Sequence, residues 1–567
     1  MSILNNIIMF KSTFTKLFAV VAASVLLASC AEEEKVSLPL APEDAVFAAK
    51  VDVKSIYEKS LGDGSAASEN IMQNLQAALM QAGAPAPVEN ILKKALNNPM
   101  TAFGLNLNQP VLVSATMDVA SENVGVYFSL PLSDKALFCM ILDQVYAKAS
   151  KSYEYDSEYG YYGRENLSPS KETLSGGTDF YFFGGAADNY ACCAVAGNAA
   201  VVYVSNQSLG KNGQAGKAAI EKLLSQSGSC TGAGFDAFMA SQDDLAIWYD
   251  VDSLLDMAMP MIKQEDMSLY AVLEMLKPYF EGVSVRGSLD FEKGKTVVGF
   301  SVDGPQQMKD MVAKYTAVPS DKFFSALPAS SVVAANIAIN KKALSDTWTQ
   351  LLNDPSIGAY LKQGAAQFGI GEEFISGLPG TITAGLTVGA DGNPVGALAI
   401  ECDKYVYDTV MNLLEAHSGM VESTGLDTYM IYEEEYDYDS YNYYYGYSPT
   451  PVKTRIASVV YVNGAAIITT DSMLDVQTGY RSAASRLISN GGFVLDVVNL
   501  PSDLMNELTK ELSSELHMWI NPSMVLDWVS SVSLTAKDGL NTELSVNMGD
   551  QQHNILQKLI AVISQKL

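Results

Sequence analysis

The chain has 567 residues, more than one hydrophobic core organises, so at least two domains are expected. With 48% hydrophobic and 18% charged residues it reads as globular and not as disordered. A formal charge of −28 excludes nucleic acid as a partner, because phosphates demand clustered Lys and Arg.

The first predicted element is a leader. Lys11 and Lys16 give a basic start, Leu17 to Leu27 an apolar run, and Ala28 and Ser29 a small-residue cut site, the order of a secretory signal. That run is shorter than the roughly 20 residues a permanent membrane helix needs. Leu27-Ala28-Ser29-Cys30 resembles a bacterial lipobox, whose thiol takes a diacylglycerol before cleavage. The resemblance implies a signal peptide over 1–29, lipidation at Cys30, and membrane attachment through the N-terminal lipid. Acyl chains contribute about 0.8 kcal/mol per buried CH₂, so two or three chains hold essentially permanently. No other segment is apolar for long enough to span, so the mature body is expected to be tethered and not inserted.

Residues 30–40 read as an acidic tether, since Glu32, Glu33 and Glu34 repel one another and stay solvated. This stretch is similar in part to the acidic export tag of Bacteroidetes surface lipoproteins, with Ala and Glu where those tags carry Ser and Asp. The similarity implies the outer membrane, with the cell surface expected over the periplasmic face.

Beyond the tether, five segment pairs recur in the same order, the mark of an internal repeat. Ala41 to Val53 aligns without gaps to Leu327 to Ile339. Val124 to Lys135 answers Val395 to Lys404, Ala196 to Asn206 answers Val462 to Ser472, and LAIWYDVDSLL at Leu245 answers GGFVLDVVNLP at Gly491. The last pair begins at Gly282 and at Trp528. The boundary is placed near Ala317, giving two tandem homologous copies over 41–316 and 317–567.

Val283, Val285, Gly287, Leu289 and Phe291 alternate with polar residues, the period of a half-buried strand. Asp538-Gly539 marks a tight hairpin turn. Ile71, Leu75 and Leu79, like Ile555, Leu559 and Ile563, recur at helical spacing. The expected fold class is α+β, each copy an antiparallel sheet of hairpins covered by helices on one face. A P-x-D-A-type opening strand and helix behind a lipobox resembles a Bacteroidetes lipoprotein family of no assigned function. That resemblance implies a location and a fold, and no catalytic residue.

Two acidic tyrosine stretches stand out, SYEYDSEYGYYGRENLSPS from Ser152 and YEEEYDYDSYNYYYGYSPTP from Tyr432. Both are read as loops at one structural position of their copies. Three readings stay open. They are solvated insertions held out by charge, or a binding surface in which Tyr161, Tyr162, Tyr443, Tyr444 and Tyr445 stack on a polysaccharide or an envelope protein. In the third, Glu433, Glu434, Glu435, Asp437 and Asp439 hold calcium, although the spacing fails the EF-hand pattern.

Other chemistry finds no support. His417, His517 and His553 have no ligand spacing, so no metal site is expected, and His553 falls opposite Met308 as a helix position. Lys293-Gly294-Lys295-Thr296 lacks the first glycine of a phosphate loop and reads as a strand turn. After Cys30, an odd five cysteines remain, read mostly as small buried hydrophobes, with one bridge through Cys230 left open. No catalytic residue and no cofactor is assigned. The expectation is a non-catalytic binding or scaffolding lipoprotein of the outer membrane. The alternatives are glycan or protein capture through the tyrosine loops, and a hydrolase whose carboxylates meet between the copies.

Overall fold

The protein is described by a computed structural model covering residues 41–60, 99–118, 123–158, 169–174, 177–183, 190–226, 230–328, 330–353, 355, 358–367, 370–389, 393–436, 451–470, 488, 491–500, 502, 505–506, 509–510, 525–536 and 538–566. Cys30, Tyr161, Tyr162, Tyr443, Tyr444 and Tyr445 lie outside the described residues, as do the leader, the tether and the helical pattern at Ile71, Leu75 and Leu79. The chain forms two compact units, Met1–Pro305 with Gln551–Leu567, and Gln306–Asp550. Both are mixed α+β, with antiparallel sheets.

The first unit holds β1 (Phe47–Val51), β2 (Val111–Asp118), β3 (Asn123–Pro131), β4 (Ser170–Leu174), β5 (Thr178–Phe182), β6 (Tyr190–Ala196), β7 (Ala199–Ser205), β8 (Leu245–Asp250), β9 (Ser284–Glu292) and β10 (Lys295–Asp303). Its helices are α1 (Val53–Ser60), α2 (Lys135–Glu158), α3 (Gln214–Ser225), α4 (Phe235–Ala240), α5 (Val251–Glu265) and α6 (Met267–Phe280). The strands pair antiparallel in the order β10-β9-β8-β1-β2-β3-β7-β6-β5-β4. β9 forms where the strand was read, but burial does not alternate along it, since Ser284 and Gly287 are buried and the other residues are half-buried. Gly294, at φ 75°, makes the β9–β10 turn where the glycine of KGKT was read as one.

Helices cover both faces of this sheet, which corrects the one-face expectation. On one face Phe180, Phe182, Cys192 and Tyr203 pack on Ile220 and Leu223 of α3. On the other, Tyr181, Cys193 and Ala200 pack on Phe138 and Leu142 of α2. The reason is local. Phe180-Tyr181-Phe182 and Cys192-Cys193 are apolar at consecutive positions, so both sides of these strands need cover. The five cysteines of the described body are free thiols, and all but Cys139 are buried. At the other end of the sheet, Trp248 is fully buried against Phe235 at 5.2 Å, and its indole N–H donates to the Ala233 carbonyl.

The second unit holds β11 (Val333–Ala338), β12 (Thr381–Val388), β13 (Pro394–Glu401), β14 (Val421–Gly425), β15 (Thr428–Tyr436), β16 (Pro451–Val462), β17 (Ala465–Thr469), β18 (Gly492–Asp496), β19 (Val529–Ala536) and β20 (Asn541–Met548). It also holds α7 (Gln306–Tyr315), α8 (Lys341–Leu352), α9 (Gly358–Gln367), α10 (Glu372–Ser376) and α11 (Lys404–Ser418). Its order is β20-β19-β18-β11-β12-β13-β17-β16-β15-β14, again antiparallel. The Asp538-Gly539 turn does close β19 on β20. It does so through a wider loop, in which the Asp538 carboxylate accepts from the Asn541 amide at 2.8 Å.

The last helix, α12 (Ile555–Lys566), belongs to the first unit, and α7 to the second. Met308 is a buried residue of α7, whereas His553 precedes α12 and is exposed; it is not the helix position expected for it.

Candidate functional site

Alternation along a strand says which residues share a face, not which face turns inward. In β12, Thr381, Thr383 and Thr387 form one face and Ile382, Ala384, Leu386 and Val388 the other. The threonine face is the buried one: Thr383 Oγ1 donates to Asn336 Oδ1 at 3.0 Å, and Asn336 Nδ2 donates to the Ser320 carbonyl. The aliphatic face is half-open. Cross-strand register lines Leu398, Ala384, Ala335, Phe493, Leu534 and Leu544 into one apolar row across β13, β12, β11, β18, β19 and β20. Six strands at about 4.8 Å spacing make this row about 24 Å long. Ile337, Leu386 and Leu534 on this face stay 52%, 37% and 38% exposed. Single exposed aliphatics are ordinary on a protein surface, whereas a continuous apolar sheet face is a candidate contact surface.

The first unit lines up Phe128, Val113, Ala49, Ile247, Gly287 and Phe300 across β3, β2, β1, β8, β9 and β10. Gly287 is required there, because a Cβ would stand 2.7 Å from Ile247 Cγ1. Most of this row is buried, and Phe300 at its edge is 45% exposed.

Two polar centres lie in the first unit. Lys50 is buried on β1, and its ammonium donates to the carbonyls of Phe238 and Met239 at 3.1 and 3.0 Å and to that of Ser241, where α4 ends. Burial pulls its pKa down, against the pull of Asp243 and Asp52. The helix C-terminus supplies the negative partial charge that receives the amine.

The second centre is Asp244, fully buried, which takes Lys59 Nζ on both carboxylate oxygens at 2.9 Å and the Phe291 amide at 2.7 Å. Lys59 also pairs with Asp290. Burial raises Asp244 despite these hydrogen bonds. Burial works to raise Asp290 too, but hydrogen bonds from Lys59 and Asp244 outweigh it and leave Asp290 below the ordinary carboxylate range. Burial works to lower Lys59, and its bonds to both acids hold it above the usual amine range. Sequence reading passed over Asp243-Asp244 because one acid pair among many carries no local signal. Both Asp244 oxygens and the Lys59 ammonium are bonded within the fold, so the arrangement is a structural latch. Among the described residues no group of three or more His, Cys, Asp or Glu is arranged to hold a metal ion. Among them also, no helix is long and apolar enough to cross a membrane.

The tyrosine stretches do not occupy matching positions, which corrects that expectation. The first begins in the last turns of α2 and runs toward β4, while the second begins in β15 and is followed by β16. Tyr432–Tyr436 pairs with Pro451–Arg455 beyond the point where β14 stops, at Val421 opposite Ile431, and β17 stops, at Ser458 opposite Thr469. This two-stranded ribbon extends about 15 Å past its neighbours. At its base Lys453 bonds Glu422 at 2.8 Å and lies 6.0 Å from the Tyr432 ring. Of the residues considered for calcium, Glu433, Glu434 and Glu435 lie in β15, and Asp437 and Asp439 lie outside the described residues.

No family model matches the chain, and no curated protein matches it. Among solved structures, crystal form IV of TP0453 is similar with a TM-score of 0.21 at 8% identity, over 47% of this chain and 81% of that one. Crystal form I of TP0453 gives a TM-score of 0.21 at 9% identity, over 47% and 80%. Likeness at this level assigns neither fold family nor activity to the chain.

Proposed function

We propose that this chain is a lipid-anchored outer-membrane protein, presented at the cell surface, with a non-catalytic binding or scaffolding role. Its body is read as two copies of one α+β fold. Two things support the duplication: among the described residues the ten strands of each unit pair in the same order, and the five recurring sequence pairs fall on corresponding strands. The anchor is carried by Cys30 in its lipobox-like setting.

The observation that carries a binding role is the open aliphatic face of the second unit, with Ile337, Leu386 and Leu534 on it. Aliphatic side chains on a flat sheet suit an apolar protein surface, so an envelope protein is the expected partner class. Sugars would need the aromatic rings of the tyrosine stretches, and capture of a polysaccharide there is the second reading.

Two measurements test the proposal. Cells fed labelled palmitate should label the protein, and Cys30→Ser should abolish labelling and release it from the membrane fraction. Retention of Cys30→Ser in the membrane would overturn the anchor. Crosslinking on intact cells should yield a defined envelope-protein adduct that Leu386→Asp with Leu534→Asp removes. An adduct unchanged by the double variant would overturn the binding face.

A further inference from the structure

We infer that residues 551–567 are a clasp that completes the first unit, so that the strands and helices before Pro305 close only after this segment has arrived. The segment belongs to the first unit, although the whole of the second unit separates them along the chain. It is seated by specific bonds. Asn554, itself buried, donates from Nδ2 to the backbone carbonyl of Lys59 at 2.8 Å, across 495 positions of sequence. That carbonyl lies near the end of α1, where helical carbonyls lack partners of their own. The Gly294 amide in the β9–β10 turn donates to the His553 carbonyl at 3.1 Å. At Gly294 a Cβ would stand 2.4 Å from Gln551 Oε1 and 3.1 Å from its Cα, so the turn and the segment are fitted to each other. Ile560 is buried within α12. Lys59 is also the cation of the Asp244 latch, so one residue joins α1, β9 and the incoming helix.

The corresponding helix of the other hairpin is placed likewise. α7 follows β10 but is part of the second unit, where Tyr315 OH bonds Thr347 of α8 and the Tyr315 carbonyl accepts from the Asn340 amide. Each helix thus follows a hairpin of one unit and belongs to the other, but only the first unit is completed by a segment from beyond the other, since the second is one continuous run of chain. Domains ordinarily close from the N-terminus as the chain emerges. Here a contact of very long sequence separation must form first, and its loop-closure entropy delays it.

The test is hydrogen exchange by mass spectrometry on three proteins: the full chain, a chain ending at Asp550, and full-length Asn554→Ala. Ending at Asp550 should raise exchange about tenfold or more in peptides from α1 and β9–β10, and leave β11–β13 unchanged. Adding a synthetic peptide of residues 551–567 should restore protection. Unchanged α1 and β9–β10 overturns the clasp, as does an equal rise in both units of a folded chain. Should the shortened chain fail to fold, Asn554→Ala decides. A several-fold rise confined to α1 and β9–β10 supports the clasp, and its absence overturns it.

Discussion

Asn554 and Lys59 are joined by a side-chain amide donating to a backbone carbonyl at 2.8 Å, over 495 residues of chain. The same asparagine starts α12: its Oδ1 accepts from the Gln557 amide, and Gln557 Oε1 accepts from the Asn554 amide, each at 3.0 Å. This is a reciprocal capping box in which the cap residue has a further job. Asn554→Ala should cost about 1–2 kcal/mol of first-unit stability. Asn554→Ser keeps a capping oxygen but replaces the amide arm that reaches the Lys59 carbonyl with a shorter hydroxyl, so it should cost about half as much. Urea midpoints of the two variants against the full chain check the ordering.

Asp244 is buried and carries three hydrogen bonds, while Asp290 is part-exposed. Removing one partner of a buried pair leaves the rest of it uncompensated. Asp244→Ala is expected to destabilise the first unit by about 2–4 kcal/mol. Asp290→Ala should cost about 1 kcal/mol or less, because solvent reaches that side of the pair. Equal losses in chemical denaturation would contradict the latch.

Lys50 on β1 and Asn336 on β11 are both buried polar residues of a strand. Lys50→Met fills the space but leaves the carbonyls at the end of α4 without a donor. A loss of about 2 kcal/mol or more is expected, read as a lower melting temperature.

Alkaline pH should weaken the fold before acid chemistry elsewhere is disturbed. Burial pushes the Cys192 thiol from 9.0 up to about 12 and the Tyr181 phenol from 10.0 up to about 12. The folded state thus holds these protons more tightly than the unfolded state does. Their contribution is fully present below pH 9 and is lost as pH rises through 12. Denaturation midpoints should be level up to pH 9 and fall above it, and Cys192→Ala should fall less steeply over the same window. An unchanged slope in that variant would remove Cys192 from the account.

Ile337 and Leu386 sit on the open face and not in the core. Aspartate at either position should change stability by no more than about 1 kcal/mol, against about 3 kcal/mol or more for a core site. It should also reduce the binding of an apolar dye such as bis-ANS. A core-sized loss in thermal melts would show that the face is covered.

Much of this fold was legible because its signals are local. The strand through Val285, Gly287 and Leu289, the turns at Gly294 and Asp538-Gly539, and the helix from Ile555 each arise from residues within a few positions of one another. The same is true of most of the cysteines: Cys192, Cys193, Cys230 and Cys402 are buried, as small hydrophobes are.

What the sequence by itself determined, then, is which residues share a strand face and where elements start and stop, since steric and propensity terms act over one or two turns. Only the tertiary structure decided that the threonine face of β12 is the buried one, that helices cover both faces of β5–β7, and that the tyrosine stretches begin on unlike elements. It alone brought Asn554 to Lys59. A side chain's period fixes a face but not what packs on it, and that choice is made by contacts whose partners lie hundreds of residues away.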